Sequence, residues 1–298
     1  MADFPFHTPP DADALRGGLL ALRDEYPFLS VAELGKSVLG RSVFVLQLGE
    51  PRERVLYAGG FSGTDWGSTL LLLHFAKSLC HALDTGGRIS DIDVRRALLG
   101  RGILFVPCLN PDGMEIVLHG ADSARELSQC VTALCDNPKN WRANARGVDL
   151  THNFDAGWYI LRQLENLAGI SGPSPARFGG DAPESEPEPR LLTGLCRRVK
   201  LRHALALGGT GESICWQYGK FTPDRSQLMA KILSVTSGYR PEDGGGLSDH
   251  GTFQDWFIDE FHRPAFTVQP GKTAPATVEE TLKIYRSLEE ALMLSSIM

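Results

Sequence analysis

The sequence predicts an α/β layered fold with a largely buried sheet. Three observations carry that expectation. Strand-length apolar runs recur along the chain, at residues 54–60, 101–107 and 201–207. Segments with apolar residues at helical spacing separate them, and strands alternating with helices are the pattern of layered α/β folds. Runs such as RGILFVP are apolar almost throughout, as befits strands covered on both faces.

In chain order, residues 11–25 read as a helix, with Leu15, Leu19, Leu20 and Leu22 near one face. Residues 42–48 alternate, Val43, Val45 and Gln47 against Phe44, Leu46 and Leu48, which reads as a strand. The run at 54–60 ends in glycines and leads to a strong helix at 68–83. The buried strand at 101–107 is followed by a turn at Asn110-Pro111-Asp112-Gly113. Residues 185–200 fit a helix with Ser185 as N-cap and Glu188 three residues later, a capping-box pattern. Strands are expected at 201–207, 213–218 and 264–268, and helices at 226–237, 253–261 and 277–294. Residues 168–189 are rich in Gly, Pro and Ser. The apolar pattern resumes unchanged on both sides, so they read as a surface loop inside one domain spanning 1–298.

Composition bounds the function. Of 298 residues, 42% are hydrophobic and 22% charged, which excludes wholesale disorder and supplies a full core. A net charge of -6 gives no reason to expect a nucleic-acid or membrane-surface partner. The apolar stretch 70–75 is too short to span a bilayer and is broken by His74. The first residues lack a basic segment followed by an apolar one, so no signal peptide is expected and a cytoplasmic location follows. The six Cys show neither CxxC nor zinc-finger spacing and read as reduced, mostly buried thiols. Cys130 and Cys135 could pair in an oxidising compartment.

Three segments stand out as places for chemistry. Gly59-Gly60-Phe61-Ser62-Gly63-Thr64-Asp65-Trp66 joins a strand to a helix, where α/β folds build sites. It lacks the last Gly of a Gly-x-Ser-x-Gly nucleophile elbow, because Thr64 stands there. The plainer reading is a turn with Asp65 near the helix start. Residues 140–154 gather Arg142, Arg146, Asp149, His152 and several Asn, which taken alone describes a hydrogen-bonded loop. Phe266-Thr267-Val268-Gln269-Pro270-Gly271 is a strand end carrying one amide.

Together these segments resemble the zinc carboxypeptidase family over nearly the whole chain. Gly35-Lys36-Ser37-Val38-Leu39-Gly40-Arg41 resembles its early G-x-S-x-x-G-R turn, and Asn110-Pro111-Asp112-Gly113 its NPDG turn. Gly147-Val148-Asp149-Leu150-Thr151-His152-Asn153-Phe154 stands where the family writes G-V-D-L-N-R-N-F. Gly179-Gly180 with Ser185-Glu186-Pro187-Glu188 resembles its helix entry. Asp255-Trp256-Phe257 and Arg263-Pro264-Ala265-Phe266-Thr267 match the approach to its catalytic strand. Within the family the chain most resembles the bacterial peptidases that cut γ-D-glutamyl-diamino-acid bonds. The resemblance implies a three-layer α/β/α fold with a mixed, roughly eight-stranded sheet. It also implies a zinc cofactor and a peptide or peptidoglycan-derived ligand.

Position by position, the implied chemistry is missing. A catalytic zinc needs three protein ligands and an open position for water. The family takes them from a His-x-x-Glu segment and a distant His. Ser62 stands at the first His, Asp65 at the Glu and Gly208 at the second His. A neutral hydroxyl is a poor ligand beside imidazole. Asp65 is one methylene short, about 1.5 Å of lost reach. Gly208 has nothing to offer. Gln269 replaces the general-base carboxylate, and an amide has no useful basicity near neutral pH. Arg142 matches the oxyanion arginine and keeps its planar fork. Thr151-His152 replaces the Asn-Arg pair that holds the substrate carboxylate, and Thr64 replaces a further arginine. His152 could still donate one bond, but would be charged only with a raised pKa.

The other histidines are poorly placed to compensate. His203 lies about 16 Å from Gly208 at about 3.3 Å per strand residue. The best outside candidate is His250, beside the glycine-rich segment 244–251, which would make a rebuilt set of Asp65, His152 and His250. The leading expectation is therefore a pseudopeptidase with no metal bound, holding a peptide in the inherited cleft. A peptidase with a rebuilt metal site and a non-catalytic interaction module are the alternatives.

Overall fold

A computed structural model describes residues 6–243 and 250–298. Residues 244–249 of the glycine-rich segment therefore lie outside the described residues. The chain runs α1 (Ala12–Glu25), β1 (Ser30–Lys36), β2 (Ser42–Gly49), β3 (Arg54–Ala58) and α2 (Trp66–Thr85). A short hairpin, β4 (Arg88–Ile89) and β5 (Ile92–Asp93), and one turn of helix, α3 (Val94–Ala97), lead to β6 (Gly102–Val106). Next come α4 (Pro111–His119), α5 (Ser128–Leu134), α6 (Trp158–Leu167) and α7 (Pro187–Arg198). β7 (Leu201–Leu207), β8 (Ser213–Cys215), α8 (Arg225–Ser237), β9 (Arg240–Glu242), α9 (Phe253–Phe261), β10 (Ala265–Gln269) and α10 (Val278–Ile297) complete it.

Eight strands form one mixed sheet in the order β1-β2-β6-β3-β7-β10-β8-β9. The central four, β6, β3, β7 and β10, are parallel, and antiparallel pairs flank them. The expected fold class is thus observed. Side chains leave a strand on alternate faces, and both faces are covered. Val55, Tyr57, Phe105, Leu205 and Phe266 enter the core beneath α2 and α10. Leu56, Ala58, Leu104, Ala206 and Ala265 enter the opposite core beneath α7 and α9. Double coverage explains why these strands read as unbroken apolar runs. A third, smaller core around Trp141, Ile116 and Val131 sits under the long loops.

The structure corrects several details. The NPDG segment is not a free turn. Asn110 caps α4 by accepting the Gly113 N–H at 2.8 Å, and Pro111 occupies the first turn, where its missing N–H is harmless. Ser185 does not cap α7. The cap residue is Glu186, while the Ser185 hydroxyl bonds Glu186 and receives a bond from Asn153. The strand expected at 213–218 stops at Cys215. The sequence reading also passed over β1, α5 and α6. β1 is largely exposed with no clean alternation, so periodicity could not reveal it. Residues 168–186 form a loop without helix or strand, as expected. All six Cys are free, with Cys80, Cys108 and Cys196 buried and Cys130 exposed.

Candidate functional site

The parallel strands end together and open a cleft there. β3 runs into Gly59-Gly60-Phe61-Ser62, β7 into Gly208-Gly209 and β10 ends on Gln269. The cleft has two adjoining lobes, of about 570 Å³ and about 180 Å³. Ser62, Asp65 and Lys272 line the larger, and Thr151, His152 and Gly208 the smaller. Arg142, Gly209 and Gln269 line both.

At the cleft floor Asp65 is the N-cap of α2. Its Oδ1 accepts the Ser68 hydroxyl at 2.6 Å and the Ser68 N–H at 3.3 Å. Asp caps a helix well because its short side chain turns back onto the first N–H groups. The other oxygen, Oδ2, is buried with no hydrogen-bond partner among the described residues. It faces Gly208, where a Cβ would sit 3.0 Å away. Burial pushes the Asp65 carboxyl up to about 7, against the Ser68 bonds and the Arg142 charge. Ser62 pairs with Thr64, hydroxyl to hydroxyl, at 3.0 Å.

Gln269 is held from one side. The Ser213 hydroxyl donates to its Oε1 at 3.0 Å, so the amide Nε2 turns toward Gly209. Gly209 has φ +78, a left-handed conformation that glycine adopts freely, and this bends the chain away from β7 at the cleft.

The cleft wall is a network of buried polar groups. The Asn110 amide donates to the carbonyls of Phe61, Arg142 and Ala143. Asp112 accepts the Leu39 N–H and an Arg41 N–H, both at 2.8 Å. Asn144 donates to Glu186 at 2.8 Å, and Asn153 donates to Gly179, Ala182 and Ser185. Asp149 accepts from Thr151 and from the Arg177 N–H. Burial would raise its pKa, but the charges of His152 and Arg142 and the bond from Thr151 win and hold it below the usual carboxylate value. Gly63 lets its loop approach α4 and the Trp141 loop closely, since a Cβ there would lie 2.6 Å from the carbonyls of Gly113 and Trp141.

The sequence-picked residues therefore fall into two groups. Ser62, Asp65, Arg142, Thr151, His152, Gly208 and Gln269 share the cleft. His250 does not join Asp65 there. Its carbonyl faces His152 Nδ1 at 3.3 Å and its ring packs edge-on to Tyr218. Among the described residues no three His, Cys, Asp or Glu side chains are grouped to hold a metal ion. His203 is buried against Ser295, and burial lowers its pKa to about 3. His74 stacks on Tyr285. Sequence reasoning missed Ser213 and Lys272. Neither belongs to a motif, and only the folded strand ends bring them to the cleft.

The model of the family described as zinc carboxypeptidase matches residues 18–276. The chain belongs to the zinc carboxypeptidase family. It is 30% identical over 280 residues to gamma-D-glutamyl-L-diamino acid endopeptidase 1 of Lysinibacillus sphaericus, covering 93% of this chain and 69% of that one. Among solved structures it is similar to thrombin activatable fibrinolysis inhibitor, with a TM-score of 0.76 at 17% identity over 96% of this chain and 73% of that one. It is also similar to the murein-tripeptide amidase MpaA of Escherichia coli O157, with a TM-score of 0.56 at 21% identity over 89% and 91%. These two likenesses concern the fold.

Zinc would need three ligands at this cleft. Ser62 offers a hydroxyl already paired with Thr64, Asp65 offers one orphaned oxygen and Gly208 offers none. The residues present do not fit the family metal. Among the described residues no helix is long and apolar enough to cross a membrane.

Proposed function

We propose that this zinc carboxypeptidase homologue is a pseudopeptidase, which binds a peptide in the family cleft and does not hydrolyse it. One observation carries the reading: Ser62, Gly208 and Gln269, which the resemblance sets at the two His positions and the base position, line one cleft at the strand ends. Metal-activated water and its base act as a unit, so losing either removes several orders of magnitude of rate. Binding needs neither. Arg142 is exposed to the cleft and keeps donors for a carbonyl or carboxylate, and the smaller lobe keeps Thr151 and His152. A relative named for a γ-D-glutamyl-L-diamino acid substrate makes cell-wall peptides the first ligands to try.

The test is zinc content together with turnover. Purified protein should hold no stoichiometric zinc and show no chelator-sensitive cleavage of peptides. One tightly bound zinc per chain, with turnover lost in Asp65→Ala or His152→Ala, would overturn the reading and favour a rebuilt metal site.

A further inference from the structure

This inference rests on the peptide-binding reading and says where the ligand's charge sits. We infer that the larger lobe of the cleft is a carboxylate site, with Arg142 and Lys272 as its cations and the Gln269 amide as a further donor. The ligand is thus an acidic peptide whose carboxylate lies on the Lys272 side of the cleft, away from Thr151-His152.

Four observations lead there. First, Arg142 and Lys272 both line the 570 Å³ lobe, and Asp65 is the one acidic residue lining it. Asp65 Oδ1 is already committed to Ser68, and its Oδ2 faces Gly208. Second, Lys272 is exposed and makes no ion pair or hydrogen bond among the described residues. Arg142 has only a distant carboxylate, with its Nε 4.0 Å from Asp149 Oδ2, so its terminal nitrogens remain open to a ligand. Third, Ser213 fixes Gln269 so that an N–H₂, not a carbonyl, is turned toward Gly209 on the cleft. A glutamate there would repel an anion, whereas the amide donates to one. Fourth, the smaller lobe has no cation of its own beyond the shared Arg142 except His152. The Thr151 hydroxyl is bonded to Asp149 at 2.6 Å, and His152 Nδ1 faces the His250 carbonyl. Charge-assisted bonds to a carboxylate are the strong ones, and guanidinium meets it with a planar fork. The lobe's volume is that of a site for a ligand of several residues' bulk.

Calorimetric titration of the full chain with three blocked peptides tests this. Ac-Ala-Ala-Glu-NH2 carries only a side-chain carboxylate, Ac-Ala-Ala-Ala only a terminal one, and Ac-Ala-Ala-Ala-NH2 none. Glutarate is a fourth probe with no peptide bond. At least one carboxylate peptide should bind about tenfold or more tighter than the neutral one. Which of the two gains identifies the source of the carboxylate. Lys272→Glu should erase that gain, and an unchanged melting temperature shows that the exposed substitution has not disturbed the fold. Equal affinity for charged and neutral peptides would overturn the carboxylate site and leave the peptide reading standing. Carboxylate preference that survives Lys272→Glu but is lost in His152→Ala would also overturn it. Glutarate binding sensitive to Lys272→Glu, with no peptide binding, would keep the anion site and overturn the peptide reading. No binding of any probe would overturn both.

Discussion

In the wall of the cleft, Asn110 is fully buried and uses both ends of its amide, and Asp112 uses both carboxylate oxygens. On the floor, Asp65 leaves one buried oxygen unbonded and Gly208 presents no side chain to it. The wall groups each join segments far apart in the chain, such as Arg41 with Asp112 and Asn144 with Glu186. Among the described residues the floor groups join nothing beyond their own turn, apart from Gln269 and Ser213. A buried polar group that is bonded on all sides is expensive to change, whereas a cleft-lining group can be replaced at little cost to the fold. The family motifs are mostly wall residues, so a family match reports the scaffold and is silent about the chemistry.

That contrast can be broken from either side. The largest effect should come from refilling the floor. Ser62→His, Asp65→Glu and Gly208→His together should create zinc affinity more than about 100-fold above the parent chain, since even outer-shell changes at zinc sites cost 10–100-fold. Zinc titration against a competing chelator measures it. Failure to bind would show that the wall no longer holds the floor in register.

Next in size is damage to the wall. Asp112→Ala removes the acceptor of the Leu39 N–H and leaves the Arg41 guanidinium, 10% exposed, without its buried partner. The cost should be about 3 kcal/mol, read by denaturant unfolding. An unchanged midpoint would refute the scaffold role assigned to this motif.

Asp65→Asn should do the opposite, with a sign set by pH. The folded carboxyl titrates at about 7 against an ordinary 3.8. The native state therefore holds its proton more tightly than the unfolded chain. Below about 4 both states are protonated and the substitution is neutral. As pH rises from 3.8 to 7 the ionised form becomes costly in the native state alone, so stability falls. The asparagine keeps an Oδ1 for the helix cap and escapes that cost, gaining at most about 4 kcal/mol at pH 8. Melting temperatures of both chains from pH 4 to 9, compared at each pH, give the difference. A constant offset across the range would refute it.

The smallest effect should be Ser213→Ala, about 1 kcal/mol for one side-chain bond to Gln269. Its sharper reading is ligand affinity, because the amide is then free to rotate.

Much of the fold was legible because doubly covered strands and amphipathic helices write strong periods into the sequence. β7 and α9 were found nearly to the residue, whereas exposed β1 was not. The site was legible in one respect only. Ser62, Asp65, Gly208 and Gln269 lie at positions that motif spacing brings together, and the structure places them in one cleft. Lys272 and Ser213 carry no motif, and their meeting with Gln269 depends on how β8 pairs with β10. Sequence offers His250 only as an outside candidate, because chain proximity to a glycine-rich segment says nothing about which way a ring points, and the structure packs that ring edge-on to Tyr218.

The Ser213 bond has one more consequence, in terms of mutational distance. A hydroxyl that donates to an amide oxygen would donate equally to a carboxylate. Glutamate at position 269 would therefore find a donor already in place, and glutamine becomes glutamate by a single base change. Serine and glycine each need more than one base change to become histidine. If the pseudopeptidase reading holds, return of the base is a shorter step for this sequence than return of the metal ligands, and drift toward catalysis would stall at a base with nothing to act on.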